Sequence, residues 1–358
     1  MTSSGVSEMD EKELLDAARG GNDDAFRLLV ERHRAELHGH CYRMLASVHD
    51  AEDAVQEALV RAWRGLGRFE GRSSVRTWLF KIATNTALDT AGRRARRELP
   101  LSTGPAAGPG EGPGPPAAET LWVEPYPDQM FGVPAGRASP EARYELRESI
   151  ELAFVAALQY IPARQRAVLI LHDVLAFSAL EVADLLDTTV TAVNSSLQRA
   201  RVAASGVPAR SQQEALRSLG DEKTRALAAR YSGAIEGGDI ETLLSMLTED
   251  ATWAMPPLAR WYRGHDAIAE FHRRDVMAER WKHQTTSASG QLAVGCYTFD
   301  AERGCFVAAV IDVLTLEGGK IAEVTAFLTT EPLEDAGDYR FVGTDMFPRF
   351  GLPSELPA

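Results

Sequence analysis

The sequence predicts a multidomain chain: two all-α domains followed by an α+β domain built on a curved antiparallel sheet. Three observations carry this. The chain has 358 residues, a length that fits two or three domains at roughly 100–200 residues each. Residues 10–97 and 141–204 place apolar side chains at helical spacing, with a stretch between them that has no apolar period. From residue 221 onward, short strand patterns mix with helices.

The first helical segment begins at Leu14, Leu15 and Ala18. Ala25, Leu28, Leu29 and His33 continue its spacing, and Leu37, Cys41, Met44 and Leu45 extend the apolar face. Asp50-Ala51-Glu52-Asp53 reads as a helix start with acids in the first turn, and Ala54, Val55, Ala58, Leu59 and Ala62 supply its buried stripe. Residues 66–74, with Gly67, Gly71 and two serines, read as a loop, and 75–97 as a helix with Trp78, Leu79, Ile82 and Leu88 in its core. Residues 100–140 hold ten of the 18 prolines, and 104–118 are almost entirely Gly, Pro and Ala. Such a segment cannot build a core, so 98–140 is expected to be a flexible, partly extended linker with an aromatic island at Leu121 to Tyr126. In 141–204, helices around Leu152 and Val168 precede two short ones, 178–186 and 191–203.

In 221–332, a helix over 222–235 precedes Gly237-Gly238-Asp239 and a second short helix. Residues 251–255, 281–289, 292–300, 305–316 and 320–329 read as strands, with a helix over 265–277 and a two-residue hairpin turn at Gly318-Gly319. The tail, 333–358, is aromatic-rich without a period and is expected to pack rather than leave its rings in water.

Charge is distributed unevenly. The total of −13 argues against a nucleic-acid binder, but residues 58–97 alone carry +8. Residues 1–57 carry −7, 98–140 carry −4, 141–210 carry −1 and 211–358 carry −9. One basic face for a polyanion is thus set within an acidic protein. Three cysteines form no disulfide framework. No stretch approaches the roughly 18 apolar residues of a membrane span, and the acidic start reads as no secretory signal, so a soluble cytoplasmic protein is expected. His33, His38, His40 and Cys41 do not place three ligands on one helix face and read as ordinary helix residues; no metal or cofactor is expected.

Three constellations remain, each with a bland alternative. Asp50, Asp53, Gln56 and Glu57 make an acidic helix face, or simply a solvated one with acids placed for the helix dipole. Arg72, Ser73 and Ser74 in a polar loop, then Asn85, Asp89, Arg93 and Arg94 on a helix, suit an unstacked strand and its phosphates, or a basic exposed helix. The two short helices joined by Asp187-Thr188-Thr189 have helix-turn-helix proportions. There Thr191, Asn194, Ser195 and Gln198 face outward and Arg199 and Arg201 suit phosphates; a helical hairpin with no DNA role is the alternative.

Together these parts resemble an extracytoplasmic-function sigma factor of the sigma-70 family. Asp50-Ala51-Glu52-Asp53-Ala54-Val55-Gln56-Glu57 and Arg76-Thr77-Trp78-Leu79-Phe80-Lys81-Ile82-Ala83-Thr84-Asn85, with Asp89, Arg93 and Arg94, look like sigma region 2. Ile161-Pro162-Ala163-Arg164-Gln165-Arg166 and Leu197-Gln198-Arg199-Ala200-Arg201 look like region 4. The resemblance implies that Asp53, Gln56 and Glu57, beside Asp50, dock on the RNA polymerase core at the β′ clamp helices, with the β subunit a further contact. It implies that the 67–74 loop with Asn85 captures the melted −10 strand, and that Asp89, Arg93 and Arg94 contact the adjoining duplex. The helix from Thr191 would read the −35 element, and the linker would run through the polymerase channel. Asp187 stands where the family commonly has Gly, and Asn194-Ser195-Ser196 replaces a more basic triplet.

Residues 221–332 resemble a SnoaL-like cone, on Tyr231, Gly237-Gly238-Asp239, Asp250-Ala251-Thr252-Trp253 and Tyr262-Arg263-Gly264. Such a domain implies an apolar pocket, here with Trp253, Met255, Trp261, Tyr297 and Asp312 among its candidate lining. Asp312 shares a strand face with Phe306, Ala308, Val310 and Leu314, so burial would raise its pKa; a carboxylate that faces solvent or is hydrogen-bonded at a subunit contact is the alternative. The expected protein is a promoter-selecting initiation factor and no enzyme. Its C-terminal domain would contact and regulate the sigma module, with an unknown small molecule as a further partner. The competing readings are a SnoaL-like enzyme or sensor on a degenerate sigma module, and a helix-turn-helix repressor.

Overall fold

The computed structural model describes residues 10–102, 104–108, 110–116, 121–131, 140–204, 211–332, 339–341 and 346–358. The chain divides into two compact units, one of residues 1–96 and 130–208, the other of 97–129 and 209–358.

The first unit is helical. Helix α1 (Glu11–Arg19) starts on a reciprocal capping box between Asp10 and Glu13. Helices α2 (Asp23–Leu45), α3 (Val48–Gly65) and α4 (Val75–Ala91) start on the side chains of Asn22, Ser47 and Ser74. They bury Leu29, Leu37, Met44, Val55, Leu79 and Phe80 among one another. His40 and Cys41 are fully buried here. His40 Nε2 pairs with Thr84 Oγ1 at 2.9 Å, and burial drives its pKa down to about 3 and that of Cys41 up to about 12. Among the described residues no His, Cys, Asp and Glu group could hold a metal.

The later helices are α5 (Pro140–Glu148), α6 (Leu152–Leu158), α7 (Ala163–Leu169), α8 (Ala179–Leu185) and α9 (Val190–Ala204). They pack directly on α2 and α4 through buried cations. Arg43 is fully buried and donates to Ser149 Oγ at 2.9 Å and to Leu146 O at 3.4 Å. Arg166 donates to the carbonyls of Met44 and Ile161, and burial lowers its pKa to about 10. Phe80 meets Phe177 edge-on at 5.2 Å, with the Arg76 guanidinium 4.3 Å from the Phe177 ring centre.

The second unit is an α+β cone. Helices α10 (Gln212–Leu219), α11 (Asp221–Glu236), α12 (Ile240–Met246) and α13 (Gly264–Phe271) accompany a curved sheet. Short strands β1 (Arg97–Glu98) and β2 (Leu121–Trp122) pair parallel at one side. The main sheet comprises β3 (Leu247–Ala254), β4 (Trp261–Arg263), β5 (Trp281–Ala288), β6 (Gln291–Asp300), β7 (Cys305–Glu317) and β8 (Lys320–Leu328), in the order β4-β3-β8-β7-β6-β5. Gly318 and Gly319 turn β7 into β8 with φ of 59° and 82°, the positive values a two-residue hairpin needs. The sheet is mixed rather than wholly antiparallel, because β3 and β8 run parallel. No local sequence signal marks that pairing, which joins strands from opposite ends of the domain.

One further difference bears on function. The linker was expected to be flexible, yet its described residues 97–129 belong to the second unit. Val123 and Tyr126 are fully buried there, and Tyr126 exchanges hydrogen bonds with Ser289, N–H to Oγ at 2.9 Å and O from N–H at 2.7 Å. A segment without an apolar period can still dock when its backbone groups are hydrogen-bonded by another element. Residues 132–139 of the linker lie outside the described residues.

The tail packs as expected where it is described. Phe347 of α14 (Met346–Arg349), Phe350 and Leu352 are buried, and β9 (Glu355–Pro357) pairs with β7. They cover the outer face of the sheet, where a side chain at Gly295 would collide with Leu352. Residues 333–338 and 342–345 lie outside the described residues.

Candidate functional site

Helix α3 presents Asp53, Gln56, Glu57, Val60 and Trp63 to solvent. The positions advance by three or four residues, or by one within a turn, so they form one stripe. Val60 is 44% and Trp63 38% exposed, which gives the acidic stripe an apolar end. Sequence periodicity passed over Val60 and grouped Trp63 with the apolar stripe. The signal available was the spacing of Gln56, Val60 and Trp63 on one face.

Asp50 does not belong to that surface. It is 2% exposed and its Oδ1 accepts from Arg94, which lies just beyond α4 and reaches over the first turn of α3. Arg61 ties the acidic stripe to the basic end of α4, donating to Glu57 Oε1 at 2.8 Å and to Asp89 Oδ2 at 3.4 Å. These side chains, with Asp53, Thr86, Thr90 and Arg93, line a polar hollow of about 290 Å³.

Arg72, Ser73 and Ser74 are exposed in the loop before α4, and Asn85 is exposed on α4 itself. Ser74 also caps the helix, its Oγ accepting from the Thr77 N–H at 3.0 Å. Arg93 and Arg94 are exposed where α4 ends. Trp78 is half-buried and stacks on Phe69 at 4.7 Å, a support for the loop.

In the helix-turn-helix, Thr191, Asn194, Ser195, Gln198 and Arg199 are exposed while Val193, Leu197 and Ala200 are buried. Arg201 makes a two-point pair with Asp173 at 2.9 and 2.7 Å. Asp187 adopts φ of +48° in the turn, the left-handed conformation that Gly, Asn and Asp accept most readily. Its carboxylate accepts from Lys81 Nζ of α4 at 2.5 Å, so the turn rests against the helix that bears Asn85.

The cone of the second unit encloses a cavity of about 470 Å³ between the concave sheet face and α11 and α13. Trp253, Met255 and Asp312 line it, with Phe271, Trp281 and His283. Trp261 and Tyr297 do not. Trp261 faces the linker, donating from Nε1 to Gly104 O at 3.0 Å. Tyr297 lies on the outer face under the tail, donating to Pro353 O at 2.9 Å. Tyr297 alternates with Cys296 and Thr298, which both line the cavity, so it points to the other face of β6. The next strand carries a bulge: Cys296 pairs with Val310 but Tyr297 with Ala308, leaving Ala309 as an extra residue. It interrupts the alternation of β7, so Phe306 does not share the cavity face with Asp312.

Asp312 is 3% exposed, which decides against a solvent-facing carboxylate. Its Oδ2 accepts from Tyr231 OH at 2.7 Å and Cys296 Sγ at 3.2 Å. Among the described residues no donor reaches Oδ1. Burial pushes its pKa up to about 6, opposed by those two hydrogen bonds. His283 pairs through Nδ1 with Glu236 at 3.0 Å, and burial lowers its pKa despite that carboxylate. A ligand meeting His283 therefore meets the Nε2 lone pair.

Comparison with known proteins accounts for all three modules. Residues 29–97 match Sigma-70 region 2, residues 151–203 match Sigma-70 region 4, and residues 228–324 match the SnoaL-like domain. The chain belongs to the extracytoplasmic-function (ECF) RNA polymerase sigma factors, which serve transcription initiation. It is 39% identical to the ECF RNA polymerase sigma factor SigG of Mycobacterium tuberculosis over 355 residues, 98% of this chain and 89% of that protein. The RNA polymerase sigma-H factor of Pseudomonas aeruginosa is 30% identical over 198 residues, covering 55% of this chain and 93% of its own. The crystal structure of the Mycobacterium tuberculosis ECF sigma factor SigJ aligns over 82% of this chain and 93% of its own, with a TM-score of 0.51 and 23% identity, a likeness of fold.

Proposed function

We propose that the stripe of Asp53, Gln56, Glu57, Val60 and Trp63 docks on core RNA polymerase, in the cytoplasm where that enzyme works. The observation that carries this is the pair of exposed apolar side chains at one end of an acidic helix face, anchors that a protein partner would cover. The exposed 70–74 loop and Asn85 hold the melted −10 strand, Arg93 and Arg94 take the neighbouring phosphates, and Asp89 contacts the adjoining duplex as an acceptor. Thr191, Asn194, Ser195, Gln198 and Arg199 read the −35 element in the major groove. Arg201, exposed and paired with Asp173, and the buried Asp50, paired with Arg94, act through their ion pairs.

The described arrangement is a resting one. Elements named for positions 25 base pairs apart lie roughly 85 Å apart on B-DNA, whereas Lys81 touches Asp187 directly. Reading both requires the Arg43, Arg166 and Phe80–Phe177 contacts to open. The C-terminal unit governs this by holding the linker, since residues 97–129 are bound into it. The test is run-off transcription with core polymerase. Asp53→Ala with Gln56→Ala should abolish promoter output, and deletion of residues 211–358 should change it; unchanged output in either case sinks the corresponding role.

A second reading has one observation behind it: Asp312 lines a largely apolar cavity, as a SnoaL-like enzyme would require. It would make the C-terminal domain a catalyst joined to a sigma module. Transcription that ignores both the deletion and every cavity ligand would favour it.

A further inference from the structure

We propose that the cavity of the C-terminal unit binds an apolar, ring-bearing organic amine, and that linker residues 104–108 and 110–116 form the lid over it. This deepens the regulatory reading above and rests on it only for its consequence in transcription.

The chemistry of the walls selects the ligand. A volume of about 470 Å³ suits a small organic molecule rather than a peptide. Trp253, Phe271 and Trp281 supply aromatic faces, which favour flat rings and attract cations. The charged side chains that line the cavity are Asp275, Glu279 and Asp312, and no Lys or Arg does so among the described residues. A carboxylate or phosphate ligand would meet only like charge. Asp275 is already paired with Arg274 at 2.7 Å, whereas Asp312 Oδ1 has no donor within the described residues. A ligand ammonium at Oδ1 would be charge-assisted and would favour the ionised carboxylate that burial disfavours. His283 Nε2 offers a second acceptor.

The lid follows from what holds the linker down. Pro113 forms part of the cavity wall. Its neighbours are bound through their backbones by side chains of the cone. Arg260 donates to Gly112 O at 2.8 Å, Tyr262 OH to Glu111 O at 3.0 Å, and Arg274 to Gly110 O at 3.2 Å and Glu111 O at 3.1 Å. The Ala107 N–H donates to Trp261 O at 2.7 Å. A ligand touching Pro113 therefore touches the segment that joins the two DNA-reading regions. By linkage, anything that draws the linker away from the cone changes ligand affinity, and the ligand changes linker release by the same factor.

The test uses the full-length protein and three probes of one shape: pyrenemethylamine, pyrenemethanol and pyrenecarboxylic acid. Trp253 and Trp281 would transfer excitation energy to a pyrene in the cavity. The amine should bind about tenfold or more tightly than the acid, with the alcohol between them. Asp312→Asn should abolish the preference for amine over alcohol while leaving alcohol binding in place, which also shows that the variant is folded. Arg274→Gln with Tyr262→Phe should speed probe dissociation severalfold in stopped flow. Absence of energy transfer, equal binding of acid and amine, or an amine preference that survives Asp312→Asn overturns the ligand class. An unchanged dissociation rate in the doubly substituted protein overturns the lid. None of these readouts involves polymerase, so their failure is distinct from failure of the transcription assay.

Discussion

Asp312 shows how one buried carboxylate sets a local energy balance. Its pKa is raised from 3.8 to about 6, so the folded state disfavours the charge more than the unfolded state does. The penalty is fully present above pH 6, where it amounts to about 3 kcal/mol, and it fades as pH falls toward 3.8. Asp312→Asn keeps an acceptor for Tyr231 and carries no charge. It should melt above wild type at pH 8, with the gap closing as pH falls through 6; thermal unfolding across that range reads this out. On the acidic stripe of α3, proposed above to dock on polymerase, Val60 is exposed. Val60→Asp should shift stability by no more than about 0.5 kcal/mol yet weaken holoenzyme assembly by about tenfold in a fluorescence-anisotropy titration.

Among the elements, the helix-turn-helix depends on a small apolar seam. Leu197 and Val193 of α9 are its buried contacts in the recognition helix. Leu197→Ala should cost about 2–4 kcal/mol, and promoters that need the −35 element should lose output before others do. The helices of both sigma regions were legible in the sequence because their apolar residues repeat at helical spacing, as at Leu37, Cys41 and Met44 or at Val193, Leu197 and Ala200. The inward-facing Asp312 was legible for the same reason, from period two in β7. Other features leave no such trace. The Ala309 bulge shifts the phase of β7 without any change of composition, so period two alone puts Phe306 on the wrong face. Docking of the Gly/Pro-rich linker runs through carbonyl oxygens at Gly104, Gly110, Glu111 and Gly112, which every sequence possesses. Asp50 was misplaced because Arg94, its cover, comes from a different helix end.

At the level of the whole molecule, the tail is a structural part of the cone. Phe347, Phe350 and Leu352 are buried against the outer sheet face, and each such side chain contributes about 1.5–3 kcal/mol. Truncation before Met346 should therefore lower the melting temperature of the C-terminal unit and raise binding of a hydrophobic dye, with the sheet edge at β7 left open to pairing. The acidic total of −13 takes on a definite sense at this scale. The basic surplus is confined to residues 58–97, so isolated protein should bind duplex weakly and with strong salt dependence. The order of the chain adds a consequence in time. The cone is assembled from two stretches, 97–129 and 209–358, with region 4 encoded between them. The linker thus leaves the ribosome more than a hundred residues ahead of the sheet that receives it. At bacterial elongation rates this gap lasts on the order of ten seconds. A newly made molecule therefore passes through a stage in which both sigma regions are complete and the sheet that would hold the linker has not yet been synthesised.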